Sequence, residues 1–593
     1  MTTTQATPNT THGKRGDGAE LGLRLGRLRE TMKTRGLDAL MVRSTDRYLN
    51  EYVPEAESTR QWLTGFTGSM GDALVTADEA LIAVDGRYHL QAEQEVTPDW
   101  TVLKLSMTEP IFTGLCSALQ ERLKAGRVKA VGAEAERFTV GEKDTLDRLV
   151  VPLGGSVVPL TPSPVEELRG PVKASPGTLR VLDESRVGRT SAQKVEAIQK
   201  ALVDAGLDVL LVERLDDLAY LANLRADELP FQATFKGMGA VGRAGALVCL
   251  HTRPAAQELR DARRVFSFVT EQEFPEALAR IAGPGRKAGV DPMGSTEATR
   301  QLLRKAGFEP VQAASPLTEM KARKTPEELA RMVEAFRTAD RVVSQAARWL
   351  CSSVEKGTPV TEAEFAARVE KTFRRSGAVG LSFKVISAAG ANGAIIHYSH
   401  PSPERVIQRG ELMLLDTGAY YDEGYATDLT RTFLVGGPKV RGNAEQCRAY
   451  TMVLKAAIAG MTAVVPAGAP GISLDAITRK PMWDQGLNYN HGTGHGVGIN
   501  VHEAPPSINM RSVMPLGVGY VFSIEPGLYV PGWGGIRIEN LCTLEEHPAH
   551  AGFLRVKPLT FSPLDARLVD RALLTAAERD FLKWFRTQSR ATA

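Results

Sequence analysis

The chain has 593 residues, enough for three or four domains and for a large core without covalent staples. Its 72 basic and 69 acidic residues leave a net charge of +3, so charge gives no case for a nucleic-acid partner. Five scattered cysteines (Cys116, Cys249, Cys351, Cys447, Cys542), none in a CxxC pair, argue against a disulfide framework or a thiolate zinc site. No apolar run approaches the about 18 residues of a membrane span, so no membrane partner is expected. Residues 1–20 are polar and lack an apolar h-region; they read as a disordered tail, and the chain as a cytoplasmic protein.

Residues 21–175 open with Leu23, Leu25, Leu28 and Met32 at near-helical spacing, followed by Gly36-Leu37-Asp38-Ala39-Leu40-Met41-Val42. That run returns 170 positions later as Gly206-Leu207-Asp208-Val209-Leu210-Leu211-Val212, again behind a helical pattern of Val195, Ile198 and Leu202. Asp46 and Asp216 match just beyond each copy. The repeat predicts two tandem α/β domains of related build, 21–175 and 176–320, with the proline-rich stretch 162–176 as their linker.

From residue 321 to 593 the pattern changes. Thr325-Pro326-Glu327-Glu328 has the form of a helix start, with Thr325 as N-cap, Pro326 first in the helix and Glu328 closing a capping box. Leu329, Met332, Phe336, Val342 and Val343 follow at helical spacing. Thr361-Glu362-Ala363-Glu364 is a second start, leading to Phe365, Val369 and Phe373. Past Ser382 come short strands and Gly-rich turns, with a last helix near 575–587, so this third domain is expected to be mixed, helices alternating with antiparallel strands.

The chemistry concentrates in that third domain. The apolar run 412–415 ends in Asp416, which places a carboxylate where desolvation is costly. Twelve positions on, Asp428 opens a Thr-rich strand pattern, and the Gly-bearing turn between predicts a hairpin that brings the two aspartates together. Two adjacent carboxylates repel and share a proton unless a cation lies between them. Residues 491–498, His-Gly-Thr-Gly-His-Gly-Val-Gly, and then His502-Glu503 place three of the ten histidines within twelve positions. This run has neither the GxxxxGK[ST] order of a phosphate loop nor the HExxH order of a zinc helix, and its glycines let imidazoles approach a ligand closely.

Two further carboxylates complete the set. Val521-Phe522-Ser523-Ile524 is an apolar strand ending in Glu525, and in 535–540 strand alternation puts Arg537 and Glu539 on one face. Four carboxylates and an imidazole suit a pair of hard divalent ions such as Mn²⁺, whose charge balances the four acids. Such a pair activates water for attack on an acyl carbon, so these residues read as a dinuclear metallohydrolase.

The motifs resemble the pita-bread metallopeptidases, and among them the three-domain, cytosolic-type aminopeptidase P family. The resemblance is carried by 390–398 (Gly-Ala-Asn-Gly-Ala-Ile-Ile-His-Tyr), by 491–503 and by 535–540, and in the front half by 62–69, 85–88 and 215–225. It implies two tandem creatinase-N-terminal-like α/β domains followed by a pita-bread α+β catalytic domain. It also implies metal ligands Asp416, Asp428, His495, Glu525 and Glu539, with Glu525 as general base. His397, His491 and His502 would sit around the substrate, and Arg537 would partner the ligand carboxylates. The implied activity is removal of the residue preceding a penultimate proline, from peptides with N-terminal Xaa-Pro, by a homodimer. Mn²⁺ is the expected ion pair, and Co²⁺ and Zn²⁺ suit the same donors.

In one respect the sequence departs from the family, whose second aspartate follows the first by about eleven positions rather than twelve. The extra residue is expected in the turn 420–425, leaving both strands in register, with Asp422 and Glu423 facing solvent. A prolidase acting on Xaa-Pro dipeptides shares the catalytic fold, but two front domains fit the aminopeptidase better. A non-catalytic binding module on the same fold is the other alternative, disfavoured because all five ligands are kept.

Overall fold

The computed structural model describes residues 18–172, 177–250 and 259–592. The expected tail is shorter than 20 residues, because a helix begins at Gly18 and runs to Thr34, burying Leu21, Leu25, Leu28 and Met32. Residues 1–17 lie outside the described residues.

The front half contains two six-stranded sheets of the same topology. In the first, Ala39–Val42 pairs antiparallel with Asp72–Thr76 and parallel with Ala130–Glu134, at the centre of the sheet. In the second, Val209–Val212 pairs antiparallel with Met238–Gly242 and parallel with Lys287–Val290. The two Gly-Leu-Asp runs therefore lead into equivalent central strands. The aspartates in them act alike. Asp38 accepts the Lys129 and Ala130 amides at 2.8 Å, and Asp208 accepts that of Lys287 at 2.8 Å, each tying the central strand to its parallel neighbour. Asp46 and Asp216 have diverged. Asp46 caps its own turn through Tyr48 and Asn50, whereas Asp216 is buried against Lys321.

The proline-rich stretch is not simply a linker. Pro164–Arg169 is a helix capped by Ser163, and Val165 is fully buried in the first domain's core; residues 173–176 lie outside the described residues. Apolar spacing alone does not reveal so short a helix, whose stability comes from docking.

In the last third, both predicted capping boxes form. Thr325 opens Pro326–Glu355 and Thr361 opens Glu362–Arg375, and each helix lays its apolar stripe on the core. The terminal helix runs over Ala576–Thr592, five residues past its expected end. These helices and Ala444–Met461 pack against a three-stranded sheet (Ile386–Ala389, Leu412–Thr417, Leu429–Leu434) and a six-stranded one that includes Gly494–Gly496, Val521–Ile524 and Asn540–Glu546. Asp416 pairs in register with Thr430, so the hairpin forms and the longer turn leaves both strands aligned. Asp422 is 71% exposed, as expected, but Glu423 is only 15% exposed and pairs with Arg186 of the second α/β domain.

Because Asp38 and Asp208 make equivalent ties, Asp38→Ala and Asp208→Ala are each expected to cost about 1 kcal/mol. Urea unfolding monitored by circular dichroism measures both, and a cost at only one would break the structural equivalence.

Candidate active site

The five acid and imidazole residues converge from five strands, lying within them or at their ends. Asp416 lies within Leu412–Thr417, Asp428 immediately precedes Leu429–Leu434, and His495 is central in Gly494–Gly496. Glu525 directly follows Val521–Ile524. Glu539 sits in a break between Gly534–Arg537 and Asn540–Glu546, not on a continuous strand with Arg537 as alternation predicted. The break turns both side chains into the site.

Donor atoms of Asp428, His495 and Glu539 lie within 4.8 Å of one another. His495 Nε2 stands 3.4 Å from Asp428 Oδ2 and 3.3 Å from Glu525 Oε1. Asp416 joins through Arg537, whose Nη2 donates to its Oδ2 at 2.6 Å. The other oxygen, Asp416 Oδ1, is buried and has no hydrogen-bond partner among the described residues. Arg537 also donates through Nε to Thr430 Oγ1 at 3.0 Å, and Thr430 Oγ1 donates to Glu539 Oε2 at 2.8 Å.

Burial pushes Glu539 well above the ordinary carboxylate range, and the nearby Asp428, Glu525 and Asp416 charges add to it. Burial likewise raises Asp416 and Glu525, with Arg537 opposing in the first and His495 and Arg537 in the second. Burial by itself would lower His495, yet the facing Asp428 and Glu525 carboxylates push it up to about 9. A cluster that repels itself this strongly, with an unpartnered buried oxygen, is the donor set a pair of dications neutralises. The residues fit the metals.

Three further histidines ring the cavity, each fixed by a partner. His491 Nδ1 lies 2.7 Å from Gly492 O, so that nitrogen carries the proton, and Nε2 accepts from Tyr529 OH at 2.9 Å. Tyr529 OH in turn accepts from Arg537 Nη1 at 2.9 Å. His397 Nδ1 lies 2.8 Å from Tyr88 OH, and His502 Nδ1 lies 2.5 Å from Glu51 Oε2. Burial holds His397 and His491 well below the usual imidazole value, with the Arg87 and Arg537 charges adding to it. Despite burial, Glu51 is held down to about 2 by His502.

The four carboxylates and the four histidines line one cavity of about 1960 Å³, which the first domain helps to wall with Glu51, Tyr52, Arg87 and Tyr88. Glu51, Tyr52, Thr430, Ser523 and Tyr529 were missed in the sequence, and Arg87 and Tyr88 were noted there only as part of the family likeness. Glu51 lies 451 positions from its partner His502, and no local pattern couples them. Tyr529 and Thr430 had a weak signal, each lying beside a flagged segment.

Groups whose folded-state pKa is raised bind protons more tightly folded than unfolded, so the stability they add is present at low pH and lost as pH rises. With chelator present, the melting temperature is therefore expected to fall between pH 7 and 9, as His495 loses its proton. With Mn²⁺ at saturation that fall should be much smaller. Differential scanning fluorimetry checks this; parallel pH curves with and without metal would contradict it.

Comparison with known proteins agrees with this geometry. The family model for metallopeptidase family M24 matches residues 331–546, and two models for the creatinase/prolidase N-terminal domain match 24–170 and 171–328. A probable Xaa-Pro aminopeptidase P from Sordaria macrospora is 34% identical over 590 residues, covering 94% of each chain. Another, from Paracoccidioides brasiliensis, is 32% identical over 592 residues, covering 95% of this chain and 94% of its own. The crystal structure of an X-prolyl aminopeptidase from Caenorhabditis elegans, described as a cytosolic enzyme with a di-nuclear active site, matches with a TM-score of 0.87 at 26% identity over 96% of both chains. An Xaa-Pro dipeptidase from Bacillus anthracis, 27% identical with a TM-score of 0.54, is covered over 99% of its length but spans only 63% of this chain. With full-length relatives above 30% identity and a catalytic region matched by its model, the chain belongs to metallopeptidase family M24, among its Xaa-Pro aminopeptidase P members.

Proposed function

We infer that the chain is a metal-dependent aminopeptidase that hydrolyses the bond between an N-terminal residue and a penultimate proline. The observation that carries this reading is the convergence of three buried carboxylates, the half-buried Glu525 and His495 on one point of a cavity that the first domain helps to wall. Full-length similarity to Xaa-Pro aminopeptidase P relatives supports it. The domain division that goes with it is 21–175, 176–320 and 321–593.

Asp416, Asp428, His495, Glu525 and Glu539 would hold two divalent ions, Mn²⁺ by preference, with Co²⁺ and Zn²⁺ compatible. When bound, the ion pair supplies a water nucleophile at neutral pH and offsets charge developing on the substrate carbonyl oxygen. Glu525 would take the proton of the attacking water at its carboxylate. Burial makes it a stronger base than an ordinary glutamate, and Ser523 Oγ, donating to Oε1 at 3.1 Å, fixes its position. Arg537 holds Asp416, and through Thr430 it holds Glu539, so one guanidinium orients two ligand carboxylates. His397, kept uncharged by burial, would orient the scissile carbonyl and help the leaving nitrogen. His491 is also uncharged, and with its two ring nitrogens engaged by Gly492 and Tyr529 it would hold Tyr529 beside the substrate.

A tertiary amide offers no N–H, so proline must be recognised by the shape of its ring. Tyr52, 5.8 Å from Phe231 and 6.1 Å from His502 between ring centres, gives the cavity a fixed aromatic wall suited to it. The chain would act as a cytoplasmic homodimer. Among the described residues no helix is long and apolar enough to cross a membrane. Ile472, Val513 and Met514 are exposed, with the Gly471 and Ile472 amides hydrogen-bonded to Met514 O and Ser512 O, and such a patch suits a second copy.

Incubated with Mn²⁺, the protein is expected to release only the N-terminal Arg from an Arg-Pro-Pro peptide, with mass spectrometry as the readout. Chelator and Asp428→Asn should each abolish release, and Asp422→Asn should leave it unchanged. Cleavage of Ala-Pro alone would make the enzyme a prolidase. Cleavage of neither by folded, metal-loaded protein would favour a binding role.

A further inference from the structure

The hairpin that carries Asp416 and Asp428 ends in a turn reaching out of the catalytic domain. Beyond the paired strands, Tyr420 bridges Ala426, and Gly424 N donates to Tyr421 O at 2.8 Å, closing the turn 421–424. This turn meets the second α/β domain. There Arg225, 1% exposed on the short strand Leu224–Arg225, donates through Nε to Glu423 O at 3.1 Å. The same guanidinium donates through Nη1 to Ala219 O and Leu224 O, both at 2.9 Å.

Among the described residues, no carboxylate forms an ion pair with Arg225. A buried cation held by three main-chain carbonyls is expensive to place, and its planar fork demands fixed positions from all of them. The turn is shaped to this contact. Gly424 has φ +69°, and a Cβ there would lie 2.5 Å from Arg225 Cδ. Around it, Arg186 pairs with the Glu423 carboxylate, and Tyr425 lies with its ring 5.9 Å from the guanidinium.

The clamped turn is connected to the ligands within a few residues. Ala426 N donates to Gly498 O at 2.8 Å, tying the turn to the segment after His495. Thr427 then accepts Ala419 N at its Oγ1, at 2.9 Å, and Ser382 Oγ at its carbonyl, at 2.8 Å. Asp428 is the next residue. A rigid path therefore runs from Arg225 through Glu423, Ala426 and Thr427 to Asp428, with a branch toward His495.

We propose that Arg225 of the second α/β domain is a positioning residue for the metal pair, which by clamping the 421–425 turn sets how Asp416 and Asp428 face each other. The proposal rests on the reading of those aspartates as ligands. On this view the second domain does more than space the first from the catalytic domain: it is part of the scaffold that makes the ligand hairpin rigid.

The test is a Mn²⁺ titration of chelator-stripped protein, followed with a competing fluorescent indicator. Arg225→Lys keeps the charge and the buried stem but loses the planar fork, and it is expected to weaken Mn²⁺ binding by about tenfold, the usual scale for residues that orient ligands. At saturating Mn²⁺ its KM for an Arg-Pro-Pro peptide should stay within about twofold of wild type, since Arg225 touches no substrate. Gly424→Ala, which perturbs the same contact from the other side, should shift the titration in the same direction and serves if Arg225→Lys does not fold. Unchanged Mn²⁺ binding in both variants, even with a lowered melting temperature, would overturn the proposal, because a merely structural role moves only stability. Asp428→Asn is the control. If it binds Mn²⁺ as wild type does, the ligand assignment itself fails and the proposal with it; if it loses Mn²⁺ while the other two do not, only the clamp fails.

Discussion

The constraint on which the rest of the structure depends is that four carboxylates must lie together in a place with little water. Asp416, Glu525 and Glu539 are all driven above their ordinary range there, and Asp416 keeps an oxygen with no partner. No fold arranges such a cluster for stability, since each buried charge costs free energy that its like-charged neighbours increase. The surrounding architecture holds the acids in place against that repulsion. Strand registry fixes Asp416 opposite Thr430, a break in the chain swings Glu539 inward, and Arg537 links the two groups from behind.

Much of this was legible in the sequence. Apolar runs ending in Asp416 and Glu525 marked themselves because a charge at the end of a buried strand needs a reason, and three histidines among glycines needed another. The capping boxes at Thr325 and Thr361 were legible because both halves of each box are local. The misreadings have a common cause in tertiary contact. Helix Pro164–Arg169 reads as linker in the sequence because its stability lies in docking Val165, and Glu423 reads as exposed because its partner Arg186 lies 237 positions away. Strand alternation puts Arg537 and Glu539 on one face, and both do meet Thr430 Oγ1, although the chain breaks between them.

The two front domains show how one fold can acquire different duties. Their sheets share a strand order, and Asp38 and Asp208 do the same work in each. Beyond that shared frame they diverge. The first domain sends Glu51 and Tyr88 to the histidines of the cavity. In the second, Asp216 and Asp217 are buried with Lys321, where the chain enters the catalytic domain, and Glu503 lies beside Lys324 in the same cluster. The duplicated sheet is conserved as a scaffold, and the loops at its edges carry the differences.

The Glu51–His502 contact has a consequence for how the enzyme comes into being. Its partners are separated by 451 positions, and the last ligand, Glu539, emerges later still. During synthesis the first domain can fold as a unit before any of the chemistry exists, because it holds its own sheet and core. One face of the second domain's sheet instead packs in a core shared with the catalytic domain. The cavity is completed only when the C-terminal strands close against a wall that is already standing. A ribosome-bound chain thus carries the first α/β domain long before the ligand set is complete, and peptidase activity arrives late, with the last strands of the catalytic sheet.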